Sequence, residues 1–119
     1  MKYLKRADIL NAEDLKTEDV NVPEWGGTVC VRSLTGLERD RFEASMIDQK
    51  NKGRVNLENL RAKLVQKTVI DPETKELMFT IGDLEVLGAK SAAALNRIFT
   101  KAQELSGLTD KDVDELVKN

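Results

Sequence analysis

Carboxylates, hydroxyls, one thiol and a glycine doublet are the groups in this sequence that could support chemistry. Carboxylate pairs such as Asp110 with Asp112 and Asp112 with Glu115 have a spacing that acid–base work could use. They also stand at a helix start behind Thr109, where negative charge complements the positive end of the helix, and that structural reading takes precedence. A calcium loop is excluded because the run after Asp110 lacks the turning glycine between alternate oxygen ligands. Ser33, Ser45, Ser91 and Ser106 have no histidine to activate them, since the sequence contains none. The same absence removes the commonest general base and the commonest transition-metal ligand. With Cys30 the single cysteine, a zinc site built on nitrogen and sulfur ligands is excluded too. Gly26 and Gly27 lack the following lysine and serine or threonine of a phosphate-binding loop. No catalytic, metal or cofactor residue is assigned, and the chain is expected to be neither an enzyme nor a cofactor carrier.

The elements that hold these groups point to interaction instead. Within EDVNVPEWGGTVCVRSLTGLE, residues 18–38, Val20 and Val22 alternate with polar neighbours, residues 23–27 supply turn chemistry, and Val29 and Val31 resume the alternation around Cys30. This predicts a β-hairpin over 18–34, with Cys30 as a small buried apolar residue. Trp25 at the turn has two readings: a cover over the apolar edge of its own domain, or an anchor for a partner. One face of the hairpin should cover helices, while a free strand edge could pair with another copy.

Residues 1–17 form a weakly amphipathic arm, with either a short helix around 8–15 or order gained only on contact. Thr35 and Glu38 have the spacing of a capping box, and the helix they open is predicted to run to Gln49 with Leu37, Phe42, Met46 and Ile47 as a narrow apolar stripe. Asn56 is the expected cap of a second helix reaching Val69, whose Leu57, Leu60, Leu64 and Thr68 share a face widened by Val65 and Val69. These two helices are expected to pack antiparallel. Asp71 and Pro72 stop the second helix, and 71–76 reads as a turn. Leu77, Met78 and Phe79 read either as an extended segment, pairing with the hairpin, or as a plug over the core. Thr80 and Asp83 open a short segment ending at Gly88. Ser91 caps a strong helix with Ala92, Leu95, Phe99, Ala102 and Leu105 on one face, Gly107 closes it, and a short terminal helix follows Thr109.

The expected fold is therefore α+β and mainly α, an N-terminal β-hairpin packed with a small bundle of about four to five helices. The 119 residues suit one domain, read as an arm (1–17), hairpin (18–34), helical core (35–106) and C-terminal helix or tail (107–119). A net charge of −2, from 19 basic and 21 acidic residues spread along the chain, gives no basic footprint, so nucleic acid is not expected as a partner. Lys2, Lys5 and Arg6 are followed by no sustained apolar run, so neither a signal peptide nor a membrane span is expected, and the chain reads as cytoplasmic.

With this order laid out, the sequence resembles the tail assembly chaperones of long-tailed bacteriophages and prophages. The resemblance runs through ILNAEDLKTEDVNVPEWGGTVCVRSLTGLERDRFE, through KLVQKTVIDPETKELMFT and IGDLEVLGAKSAAALNRIFTKAQELSGL, and through the closing SGLTDKDVDELVKN. It implies a non-enzymatic factor of the host cytoplasm that binds the tape measure protein, keeps it soluble, helps recruit tail tube protein subunits, and is absent from the mature virion. Several members gain a longer form by ribosomal frameshifting; a chain ending at Asn119 corresponds to the short form or to a member without the extension.

Two contact surfaces are expected on this reading: Val20, Val22, Trp25 and Val29 on the hairpin, and Leu108, Val113 and Leu116 on the terminal helix. Self-association through the hairpin edge is a further expectation. The competing classes are a small nucleic-acid-binding regulator, using Arg32, Arg39, Arg41, Arg54, Arg61, Lys63 and Lys67, and a structural component of the tail.

Overall fold

The computed structural model describes residues 1–48, 54–55 and 58–108. Its spine is the expected hairpin: β1 (Thr17–Val22) and β2 (Gly27–Arg32) pair antiparallel, from Thr17 opposite Arg32 at the base to Val22 opposite Gly27 at the tip. A 3₁₀ turn, Pro23–Trp25, joins them, and Gly26 closes it at φ 71°, a left-handed conformation that costs glycine nothing. Cross-strand partners share a face, so Val20, Val22, Val29 and Val31 point the same way. That face covers the helices: Val22 and Val31 are fully buried, each contributing roughly 2 kcal/mol relative to exposure. Cys30 lies on the other face opposite Asp19 and is buried, as its place in the alternation predicts.

Among the described residues five α-helices accompany the hairpin: α1 (Arg6–Leu10), α2 (Gly36–Ser45), α3 (Leu60–Thr68), α4 (Leu84–Gly88) and α5 (Ala92–Leu105). This is the α+β, mainly α architecture expected. The capping box of α2 forms as predicted, with Glu38 N donating to Thr35 Oγ1 at 3.1 Å and Thr35 N donating to Glu38 Oε1 at 2.9 Å. Ser91 Oγ likewise accepts from Ala94 N at 3.3 Å to start α5. At its far end, Gly107 takes φ 71°, Leu108 N donates to Gln103 O at 2.8 Å, and Leu108 turns back into the core. This is the Schellman arrangement that a glycine one residue past the cap makes possible.

Several expectations change in the structure. The helix from Thr35 ends at Ser45 rather than Gln49, because Ile47 and Asp48 form β3 and pair with β4 (Arg54–Val55). Val69 does not continue α3; Val69–Ile70 is β5, which adds to β2 so that the sheet order is β1-β2-β5. The expected cap Asn56 and stripe residue Leu57 lie outside the described residues, and α3 opens behind Asn59, which has φ 58°. Its main partner is α5 rather than α2. On α5 the buried face is rotated from the one expected: Ala94 and Ile98 are fully buried while Ala92 is exposed. Leu77 bridges Ile70 and Met78 N donates to Val69 O at 3.0 Å, so 77–79 runs beside β5 rather than beside the hairpin and forms no strand of its own.

The core gathers Val20, Val22 and Val31 of the sheet with Phe42 and Met46 near α2, Leu64 and Val65 of α3, and Ile98 and Ala102 of α5. Two ion pairs fasten β1 and its turn along α5. Arg97 holds Glu24 at the tip through Nε at 2.9 Å, and one turn later Lys101 Nζ meets Glu18 at 3.4 Å.

Candidate docking surface

The hairpin turn sets the position of Trp25. Pro23 presets the first backbone angle of the turn, Gly26 N donates to Pro23 O at 3.1 Å, and Glu24 accepts two bonds from Arg97 Nε and one from Nη2. These hydrogen bonds lower the Glu24 carboxyl below its usual range and raise Arg97, so both stay charged while the turn is anchored. Trp25 itself is 38% exposed. Its indole forms one wall of a surface cleft of about 650 Å³, whose other walls are Phe79, Val86 and Leu87, with Asp83 and Lys90 on the rim.

Both readings of Trp25 therefore meet at one place, since the ring lies beside α4 and still presents surface to solvent. The opposite wall is built locally. Gln66 Nε2 donates to Phe79 O at 3.0 Å and fixes the approach of the 77–79 segment. Thr80 N donates to Asp83 Oδ2 at 2.8 Å, which starts the 3₁₀ turn Ile81–Asp83 and aims α4. The same stretch leaves Met78, Ile81 and Val86 exposed, at 47, 74 and 62%, and Val86 lines the cleft. Single exposed apolar residues are ordinary; several within nine positions, beside an exposed tryptophan, make a patch of the kind that marks an interaction site.

The residues expected to contact partners separate in the structure. Val20, Val22 and Leu108 are buried in the core, and Val29 is partly buried against it, so in this conformation they support the surface rather than form it. Trp25 is accessible. Val113 and Leu116 lie outside the described residues. Sequence reasoning did not assign Phe79, Ile81, Val86 and Leu87 to a site. Their signal was a cluster of apolar residues in a segment too short and too broken by Gly82 and Asp83 to fill a helix stripe.

A second unburied apolar set lies at the N-terminus. Every residue from 1 to 19 is exposed, and α1 buries nothing, though the arm carries Tyr3, Leu4, Ile9, Leu10 and Leu15. Four of the seven cations of the competing nucleic-acid reading are engaged within the chain. Arg32 pairs with Glu38 at 2.6 Å, Arg39 with Glu43 at 3.1 Å, Arg61 lies over the Phe99 ring at 5.6 Å, and Lys63 donates to Ser45 O at 3.2 Å. Among the described residues no group of three or more histidine, cysteine, aspartate or glutamate side chains could hold a metal ion. No helix among them is long and apolar enough to cross a membrane.

Comparison with known proteins bears on the fold and the family. A solved structure of the tail assembly chaperone of bacteriophage HK97 matches with a TM-score of 0.59 at 20% identity, covering 87% of this chain and 95% of that one, a likeness of fold. No curated protein matches the sequence. The family model described as phage tail assembly chaperone matches residues 4–119, nearly the whole length, and the chain belongs to that family.

Proposed function

We propose that this tail assembly chaperone acts without catalysis in the cytoplasm of the bacterial host, where it binds the tape measure protein, keeps that protein soluble, helps recruit tail tube subunits, and is left out of the mature virion. The observation that carries the proposal is the apolar cleft lined by Trp25, Phe79, Val86 and Leu87, with Asp83 and Lys90 also in its lining. A tape measure protein is a long helix with apolar stripes. A chaperone for it needs an apolar strip to receive a stripe and a charged rim that keeps the complex from aggregating. Val20, Val22 and Val29 fix the hairpin from within the core, Leu108 is buried there as well, and Val113 and Leu116 would add a second contact.

Co-expression with the long helical protein encoded beside it, followed by size exclusion with light scattering, tests this. A multi-copy complex that keeps the client in solution, and is lost without this chain, supports the reading. A client equally soluble alone, with no complex, overturns it. The nucleic-acid alternative is disfavoured by the engagement of Arg32, Arg39, Arg61 and Lys63 within the chain. A structural tail subunit would call for more strand than these short sheets contain.

A further inference from the structure

Building on the reading that the client docks in the Trp25 cleft, we infer that Arg97 of α5 is the residue that positions the indole for docking: it holds Glu24 and so fixes the bearing of the hairpin tip on α4. The two walls of the cleft are built separately. On one side Phe79 is fixed through Gln66, and buried Leu87 seats α4 on the core. On the other side Trp25 lies beyond the last ladder pair, Val22 opposite Gly27. The bond from Gly26 N to Pro23 O sets the shape of the turn, not its bearing on the helices. Among the described residues, the only hydrogen bonds from 23–26 to another element are those of Glu24 with Arg97. The indole N–H has no partner among them. The ring therefore takes its direction from its backbone and from packing, and the backbone takes its direction from Arg97.

Helix α5 suits this task. Only residues 89–91 separate it from α4, and Ile98 and Phe99 beside Arg97 are buried, so the guanidinium is carried on the same packed core as the opposite wall. The pair is poorly placed to act as a stabiliser. Its side chains are 48 and 25% exposed, and exposed ion pairs add little to folding stability. Its geometry is specific all the same: Nε reaches both carboxylate oxygens, at 2.9 and 3.2 Å, and Nη2 reaches Oε2 at 3.1 Å. A planar guanidinium that takes a carboxylate through two nitrogens fixes direction as well as distance. Lys101 cannot stand in for it, since its ammonium is shared between Glu18 on β1 and Glu104 on its own helix. What the Arg97 contact supplies is preorganisation. A ring already in its docking position loses less freedom when the client arrives.

The test uses full-length chains carrying Glu24→Ala, Arg97→Ala or both. Circular dichroism and melting temperature should stay near those of the wild type. Trp25, the single tryptophan, should show red-shifted emission and stronger acrylamide quenching in each variant, measured without client. The long helical protein encoded beside the chaperone is then diluted from urea into each variant, and the concentration that halves its light scattering is read. Each single variant should need about 3–10 times more chaperone, the cost of ordering one or two large side chains on docking. The double variant should need no more than either single one, because both changes break the same contact. Wild-type emission and quenching in the single variants overturns the inference, as does a double variant whose loss is the product of the two single losses. A large drop in melting temperature without a change at Trp25 marks the pair as structural and overturns it too. Val86→Asp spoils the opposite wall and leaves the pair intact, so full suppression by that variant overturns the docking reading instead.

Discussion

Replacing Glu38 by glutamine should destabilise the fold at neutral pH and cease to matter in acid. Glu38 closes the capping box of α2 and also receives Arg32 in a bidentate pair at 2.8 and 2.6 Å, so one carboxylate ties the end of β2 to the start of α2. The Arg32 hydrogen bonds, reinforced by those from Thr35, hold its pKa at about 2 rather than 4.5. At about 1.4 kcal/mol per pH unit, that difference corresponds to at most roughly 3.5 kcal/mol of stabilisation of the charged form. The side chains of Arg32 and Glu38 remain 15 and 24% exposed, and solvent screening reduces the expected value to about 1–2 kcal/mol. The sign follows from the lowered pKa. The contribution is fully present above about pH 4.5 and is lost as the pH falls toward 2, where the native carboxylate finally takes up its proton. Urea unfolding of wild type and E38Q at pH 7, 4.5, 3 and 2 measures it: the gap should be about 1–2 kcal/mol at pH 7 and should close across the lower values. A gap that is absent at pH 7, or that persists unchanged at pH 2, refutes the reasoning.

Other substitutions probe the core and the cleft. Ile98, fully buried between the helices and the sheet, should cost about 2–4 kcal/mol when replaced by alanine, read as a lower urea midpoint with an unchanged slope. Gly107→Ala forces a side chain into φ 71° and should cost about 1 kcal/mol in thermal unfolding, with Gly107→Asn closer to wild type. Trp25→Ala should abolish client capture in the co-expression assay while leaving the circular dichroism spectrum intact, because the ring lines the cleft and lies outside the buried core.

The features legible in the sequence were those governed by neighbours along the chain. Thr35 with Glu38, Ser91, and Gly107 act over three to five residues, so their spacing alone announces the element. The hairpin was legible because alternation and turn chemistry agree. Val69 and Ile70 were not, since a buried strand of two residues continues the apolar stripe of α3 and only its pairing with Val31 and Cys30 reveals it. The rotation of the α5 face had the same origin: Ala92 and Ala94 are equally compatible with a helical stripe, and the position of α3 and the sheet decides between them. The docking surface was half legible. Trp25 stood out by type, but its partners Phe79, Val86 and Leu87 are over 50 residues away and meet it only in the folded chain.

The hairpin edge is a route by which copies could associate. The outer edge of β1 pairs with no described strand, and since Lys16 and Ser33 form a hydrogen-bonded pair, the backbone groups of Thr17, Asp19 and Asn21 face outward. Edge pairing between two copies would use all three outward residues only in the antiparallel register that sets Asp19 against Asp19. Like charges directly opposite each other are destabilising by up to about 1 kcal/mol, and acidic side chains on an edge are a common guard against such pairing. Asp19 thus disfavours edge pairing in that register. Asp19→Val should remove the guard, and the variant should form thioflavin-positive aggregates on incubation that the wild type does not. If both stay clear, the charge at position 19 is not what protects the edge.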